Sequence, residues 1–237
     1  MFTLLYTLLS ITSHAEIIAE KNLTDVPKAA AAISLVRNSE SFQKIFEPLD
    51  HGTLANNSDL VFESYDVTED GGGVTKFQIQ NNNGEWIWVS NKLDPATISN
   101  NSKVRILIFI NPNEFGDNRV SIADVMNHEV MVHGAPLLKT LSILREYGST
   151  AFVQEWSYSS SVTSWDNAET INTKYNGPFV GHALAALGKN EDYNNVTKDI
   201  RKQLKPQEQV KLDGIIKNNP KYYAGDIQIY YSFLKKH

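Results

Sequence analysis

The sequence predicts an α+β fold: a small, mainly antiparallel sheet preceded by helices and followed by a motif-bearing helix and a helical C-terminal part. Three observations predict it. Helix formers crowd the stretch from Pro27 to Glu47, period-two alternation and an apolar run fill Leu60 to Ile110, and helical spacing returns after Ser121. With 237 residues, 41% hydrophobic and 21% charged, the chain is long enough to bury a core and too apolar to stay disordered.

Taken in order, residues 1–22 read either as an export signal or as a first helix, and 23–237 as a single domain. Met1 to Ala15 holds an apolar run ending in the small residues of Ser13-His14-Ala15, but no Lys or Arg precedes it. An export signal would place the protein outside the producing cell, by secretion or delivery; a first helix leaves the cytoplasm open. Pro27 suits a first helical position, and Ala29 to Val36 are strong formers or core residues. A second helix covers Ser41 to Glu47 and ends at Pro48 and Asp50-His51-Gly52. Leu60 to Val67 reads as a strand, and Gly71-Gly72-Gly73 as a break. Val74 to Gln80 and Glu85 to Ser90 flank Asn81-Asn82-Asn83-Gly84, a hairpin signal because Asn-Gly supplies positive φ. Trp86 and Trp88 fall on one face of that hairpin. Arg105 to Ile110 is nearly all apolar, as in a strand buried on both faces. Helices then follow over Ser121 to His133, opened by a capping Ser121, and over Leu137 to Tyr147, Val180 to Leu187, Tyr193 to Leu204 and Pro206 to Lys217, with a Ser/Thr-rich loop at Ser157 to Thr173.

Charge and cysteine content exclude several functions. A net charge of −5, with Lys and Arg scattered, gives no basic face for nucleic acid. Arg201, Lys202 and Lys205 read as solvated surface. Beyond the N-terminus, no stretch approaches the ~20 apolar residues of a membrane span. Zero cysteines remove thiol nucleophiles, disulfides, iron–sulfur clusters and Cys-type zinc sites. A metal, if bound, needs His, Asp or Glu, and six histidines are available.

The chemistry concentrates in Asn127-His128-Glu129-Val130-Met131-Val132-His133-Gly134. A metallopeptidase helix needs two imidazoles on one face to hold Zn²⁺ and a carboxylate beside them to take a proton from the attacking water. Histidines four apart differ by only about 40° around an α-helix. Here the spacing is His-Glu-x-x-x-His, and five residues of ideal helix leave the pair about 140° apart. Either a π-bulge brings i and i+5 back onto one face, or Gly134 and Pro136 end the helix and His133 reaches back. Both geometries predict irregularity at Val130 to His133.

His128-Glu129-Val130-Met131-Val132-His133, after strands and within a predicted helix, resembles the zincin metallopeptidases in their variant with one inserted residue. The dipeptidyl peptidase III family has the same expanded spacing, although its second, Glu-Glu-rich motif is absent here. A closer resemblance is to small metallopeptidase-like domains at the C-termini of Rhs and other polymorphic toxins. Those imply a later His followed by Gly-Lys-Asn and Tyr-Asn segments; this chain has His182, Gly188-Lys189-Asn190 and Tyr193-Asn194. The resemblance spans roughly Lys103 to Gln203 and is specific at the motif itself.

A catalytic zinc takes three protein ligands and an open position. His182, beside Gly181 and opening a predicted helix, is the first candidate for the third. Glu155 is the second, because a Glu some twenty residues beyond the second His is another zincin solution; Asp166 and Glu169 lie in a predicted loop and rank below. His14, His51 and His237 sit in the N-terminal segment, in a turn and at the terminus. The expected protein is a Zn²⁺-dependent peptidase acting on peptide or protein substrates, with His128, His133 and His182 on the metal and Glu129 as general base, in keeping with a secreted or delivered toxin. Alternatives are a zincin-like binding module without activity and a metal-dependent hydrolase of a non-peptide amide or ester.

Overall fold

Alternating apolar residues in the middle of the chain build one five-stranded sheet. A computed structural model describes residues 17–51, 58–64, 72–90, 92–134, 141, 144–154 and 190–218. The strands are β1 (Ile17–Ala19), β2 (Ser58–Ser64), β3 (Gly73–Gln80), β4 (Trp86–Trp88) and β5 (Val104–Ile110), in the spatial order β1-β2-β5-β3-β4. β3 and β4 form the predicted hairpin, with Gly84 at φ 85° and the Asn81 side chain accepting from the backbone of Asn83 and Glu85.

The sheet is mixed, not mainly antiparallel. β1, β2 and β5 run parallel, and β3 alone runs against them, pairing antiparallel with β5 on one side and β4 on the other. The hairpin signal reports the direction of one local pair. The β2–β5 direction is set by the whole hairpin and its connections between them, which return the chain so that β5 inserts between β2 and β3. Similarly, β1 reaches β2 through α1 (Lys21–Thr24), α2 (Pro27–Arg37) and α3 (Glu40–His51), the helical crossover that parallel strands require. Ile17–Ala19, which falls in the stretch expected to be a leader or first helix, is thus an edge strand paired to Leu60–Phe62.

Period two fixes the faces. Val104, Ile106, Ile108 and Ile110 of β5, Leu60 and Phe62 of β2, and Phe77 and Ile79 of β3 point into one core. Arg105, Leu107 and Phe109 take the other face, where the Arg105 guanidinium lies 4.1 Å from the centroid of Trp86. The helices cover the core face: α2 with Ala29, Ala32, Ile33 and Val36, and α4 (Arg119–His128) with Val120, Ile122, Ala123 and Met126. α5 (Asn190–Gln203) adds Tyr193, Val196 and Ile200, and α6 (Pro206–Asn218) adds Leu212. Each fully buried Ile or Leu stabilises by roughly 1.5–3 kcal/mol. Residues 144–147 and 149–154 are also helical, broken at Gly148 with φ 90°.

Several boundaries move, two of them for plain local reasons. α3 continues through Pro48 to His51, because a proline removes one backbone donor of the last turn without preventing its φ from being helical. α4 is capped by Asn118, not Ser121: the Asn118 side chain accepts from the backbone of Val120 and Ser121, so the helix starts two residues early. The segment 1–16, the Ser157–Thr173 loop, the expected helix at Val180–Leu187 and residues 219–237 lie outside the described residues.

Candidate active site

α4 holds ordinary α winding from Arg119 to His128, and Glu129–Gly134 continues it as a π-helix. The winding changes where the sequence demands irregularity. The i→i+5 bonding widens the winding, so positions 128 and 133, about 140° apart on an ideal α-helix, are brought toward one face across this junction. The segment lies over the sheet: a Cβ on Gly134 would sit 3.5 Å from Ile106 and 3.9 Å from Ile108 of β5.

Glu129 stands at the junction of the two windings and is buried, at 8% exposure. The Thr75 hydroxyl on β3 lies 2.7 Å from its Oε2 and 2.9 Å from its backbone carbonyl oxygen, and donates to one or the other. No lysine or arginine pairs with this carboxylate among the described residues. β3 approaches closely because Gly73 has no side chain: an added Cβ would lie 2.7 Å from Val125 Cγ1 and 3.2 Å from Glu129 Cγ.

His128, half-buried, meets the ring of Tyr193 on α5 edge to face, with centroids 5.9 Å apart and planes at 83°. The Tyr193 hydroxyl donates to Asp124 Oδ1 at 3.0 Å, one turn before His128. Asn127, wholly buried, donates through Nδ2 to the Tyr193 carbonyl and to Thr197 Oγ1, while its Oδ1 has no partner among the described residues. These contacts tie the motif helix to α5.

The structure therefore joins His128 and Glu129 at one helix end, with the backbone of His133 in the π segment that follows. The His133 side chain, His182, Glu155, Asp166 and Glu169 lie outside the described residues. Among the described residues no three His, Asp or Glu side chains converge as a metal-binding group. By donor chemistry the motif fits zinc, because imidazole nitrogens are ordinary zinc ligands.

Thr75 and Tyr193 are the site residues that sequence reasoning missed as partners. Thr75 had a readable signal, since it shares the inward phase of Phe77 and Ile79, and a polar residue on a buried strand face needs a partner. The contact of Tyr193 with His128 had none, because it depends on how α5 crosses α4. No family model matches the chain, and neither does any curated protein or solved structure.

Proposed function

We propose that the protein is a zinc-dependent metallopeptidase in which His128, His133 and a third ligand, His182 or Glu155, hold the ion and Glu129 is the general base. The observation that carries this reading is the π-helical winding of Glu129–Gly134, whose wider turn brings the His-Glu-x-x-x-His spacing closer to one face than an α winding does. A buried carboxylate with a hydroxyl partner and no described cation also supports it, because such a group costs stability unless it has work to do.

Zinc in such a site acidifies water and polarises a carbonyl. Glu129 accepts the proton of the attacking water and passes it to the leaving amine, the ordinary path of a general base that becomes a general acid. The core behind it, Ile106 and Ile108 under Gly134, excludes water from the inner side of the winding.

Glu129→Gln tests the reading. The expected result is about one zinc per chain by elemental analysis in both forms, and cleavage of labelled casein reduced about 10³-fold or more in the variant. Cleavage that survives removes Glu129 from the mechanism. Zinc binding without cleavage of a peptide library points to a non-peptide substrate or an inactive zincin-like module. Equal growth of bacteria expressing the wild-type and Glu129→Gln forms would remove the toxin reading.

A further inference from the structure

Resting on the metallopeptidase reading, we propose that Thr75 is a positioning residue: it pins Oε2 of Glu129 and leaves Oε1 as the oxygen that receives the proton. A glutamate has three side-chain torsions, so a free Glu129 would spread its carboxylate over several rotamers, only some within reach of the attacking water. Thr75 removes that freedom from an independent, rigid element. It sits opposite Ile108 in the β3–β5 ladder, so its backbone is fixed by strand register, and its branched Cβ restricts the hydroxyl direction.

The contact is double. Oγ1 lies 2.7 Å from Oε2 and 2.9 Å from the carbonyl oxygen of the same glutamate. The side chain is therefore folded back over its own backbone at the junction between α and π winding, within reach of one hydroxyl whose single proton goes to the carboxylate or to the carbonyl. Gly73 keeps this approach open two residues earlier on β3, where a Cβ would come within 3.2 Å of Glu129 Cγ. The hydroxyl acts through Glu129 and touches no substrate.

The test compares wild type, Thr75→Val, which keeps the shape and loses the hydroxyl, and Thr75→Ser, which keeps the hydroxyl. Three quantities are read: zinc affinity by chelator competition, kcat and KM on labelled casein, and amide hydrogen exchange of residues 129–134. Thr75→Val should bind zinc within about threefold of wild type and keep KM, while kcat falls about 10–100-fold and exchange in 129–134 accelerates about tenfold or more. Thr75→Ser should restore each to within about threefold. A Thr75→Val form with wild-type kcat, or a Thr75→Ser form no better than Thr75→Val, overturns the proposal. So does equal exchange in wild type and Thr75→Val, whether or not casein is cut. A wild-type chain that binds no zinc and cuts nothing while Thr75→Val still exchanges faster overturns the peptidase reading alone and leaves the pinning of Glu129 supported.

Discussion

The two ends of α4 hold carboxylates in opposite ways. At its N-terminal end, Arg119 grips Glu208 of α6 through two parallel hydrogen bonds of 2.7 and 2.9 Å. The helix dipole also favours an anion there, and the Arg119 guanidinium holds the Glu208 carboxyl down at about 2. At the other end, where α winding passes into π, Glu129 is more deeply buried and takes a neutral hydroxyl as partner. The first arrangement fastens helices together. The second leaves one carboxylate oxygen without a hydrogen-bond partner among the described residues, as the proposed proton acceptor would require.

Changes at either end sharpen that contrast. The largest effect expected is at Glu129: Glu129→Gln should lower turnover about 10³-fold, equivalent to ~4 kcal/mol in the barrier, while chemical denaturation midpoints stay unchanged or rise. A fall in stability with unchanged turnover would make Glu129 a structural group like Glu208. Next is the floor beneath the π segment. Ile108→Ala, in the middle of β5, should cost about 3 kcal/mol by urea unfolding, since it opens a cavity where the sheet meets the winding.

Gly73→Val should cost about 1–3 kcal/mol through overpacking against Val125 and Ile110, and it should disturb zinc-dependent activity more than its stability loss explains. An unchanged activity would show that β3 can retreat without moving Glu129. The smallest effect belongs to the N-terminal end. Glu208→Gln should cost about 0.5–1 kcal/mol at neutral pH, because the pair is partly exposed.

The pH dependence has a definite sign. The folded carboxyl titrates at about 2 against an ordinary 4.5, so its contribution is complete above 4.5 and disappears as pH falls toward 2. Acid unfolding curves of wild type and Glu208→Gln should therefore converge as pH drops through that window. Curves that remain parallel would mean the Arg119 contact does not form in solution.

Much of this fold was legible along the chain because its signals are local. The Asn81–Gly84 turn, the alternation of β3, the apolar β5 and the helix at Pro27 each follow from neighbours within a few residues. The sheet's mixed direction was not, because parallel pairing joins Ile17–Ala19 to Leu60–Phe62 and Ser58–Ser64 to Val104–Ile110 across long intervals with no turn to mark them. The cap of α4 was misplaced by three residues because Asn118 and Ser121 are both good caps, and the two side chains in fact hydrogen-bond each other at 2.8 Å.

The candidate site divides the same way. The sequence by itself determined the His128-Glu129-x-x-x-His133 spacing and, through the 100° step of the α-helix, that an α winding could not serve both histidines. Helix arithmetic needs no tertiary information. Which of the two escapes the chain takes was decided by the folded protein, as a π turn laid over Ile106 and Ile108. So were the Thr75 hydroxyl at Glu129 and the Tyr193 ring at His128. Thr75 lies 54 residues from Glu129, and only the packing of α4 on β3 and α5 brings such distant groups within hydrogen-bond or ring-contact range.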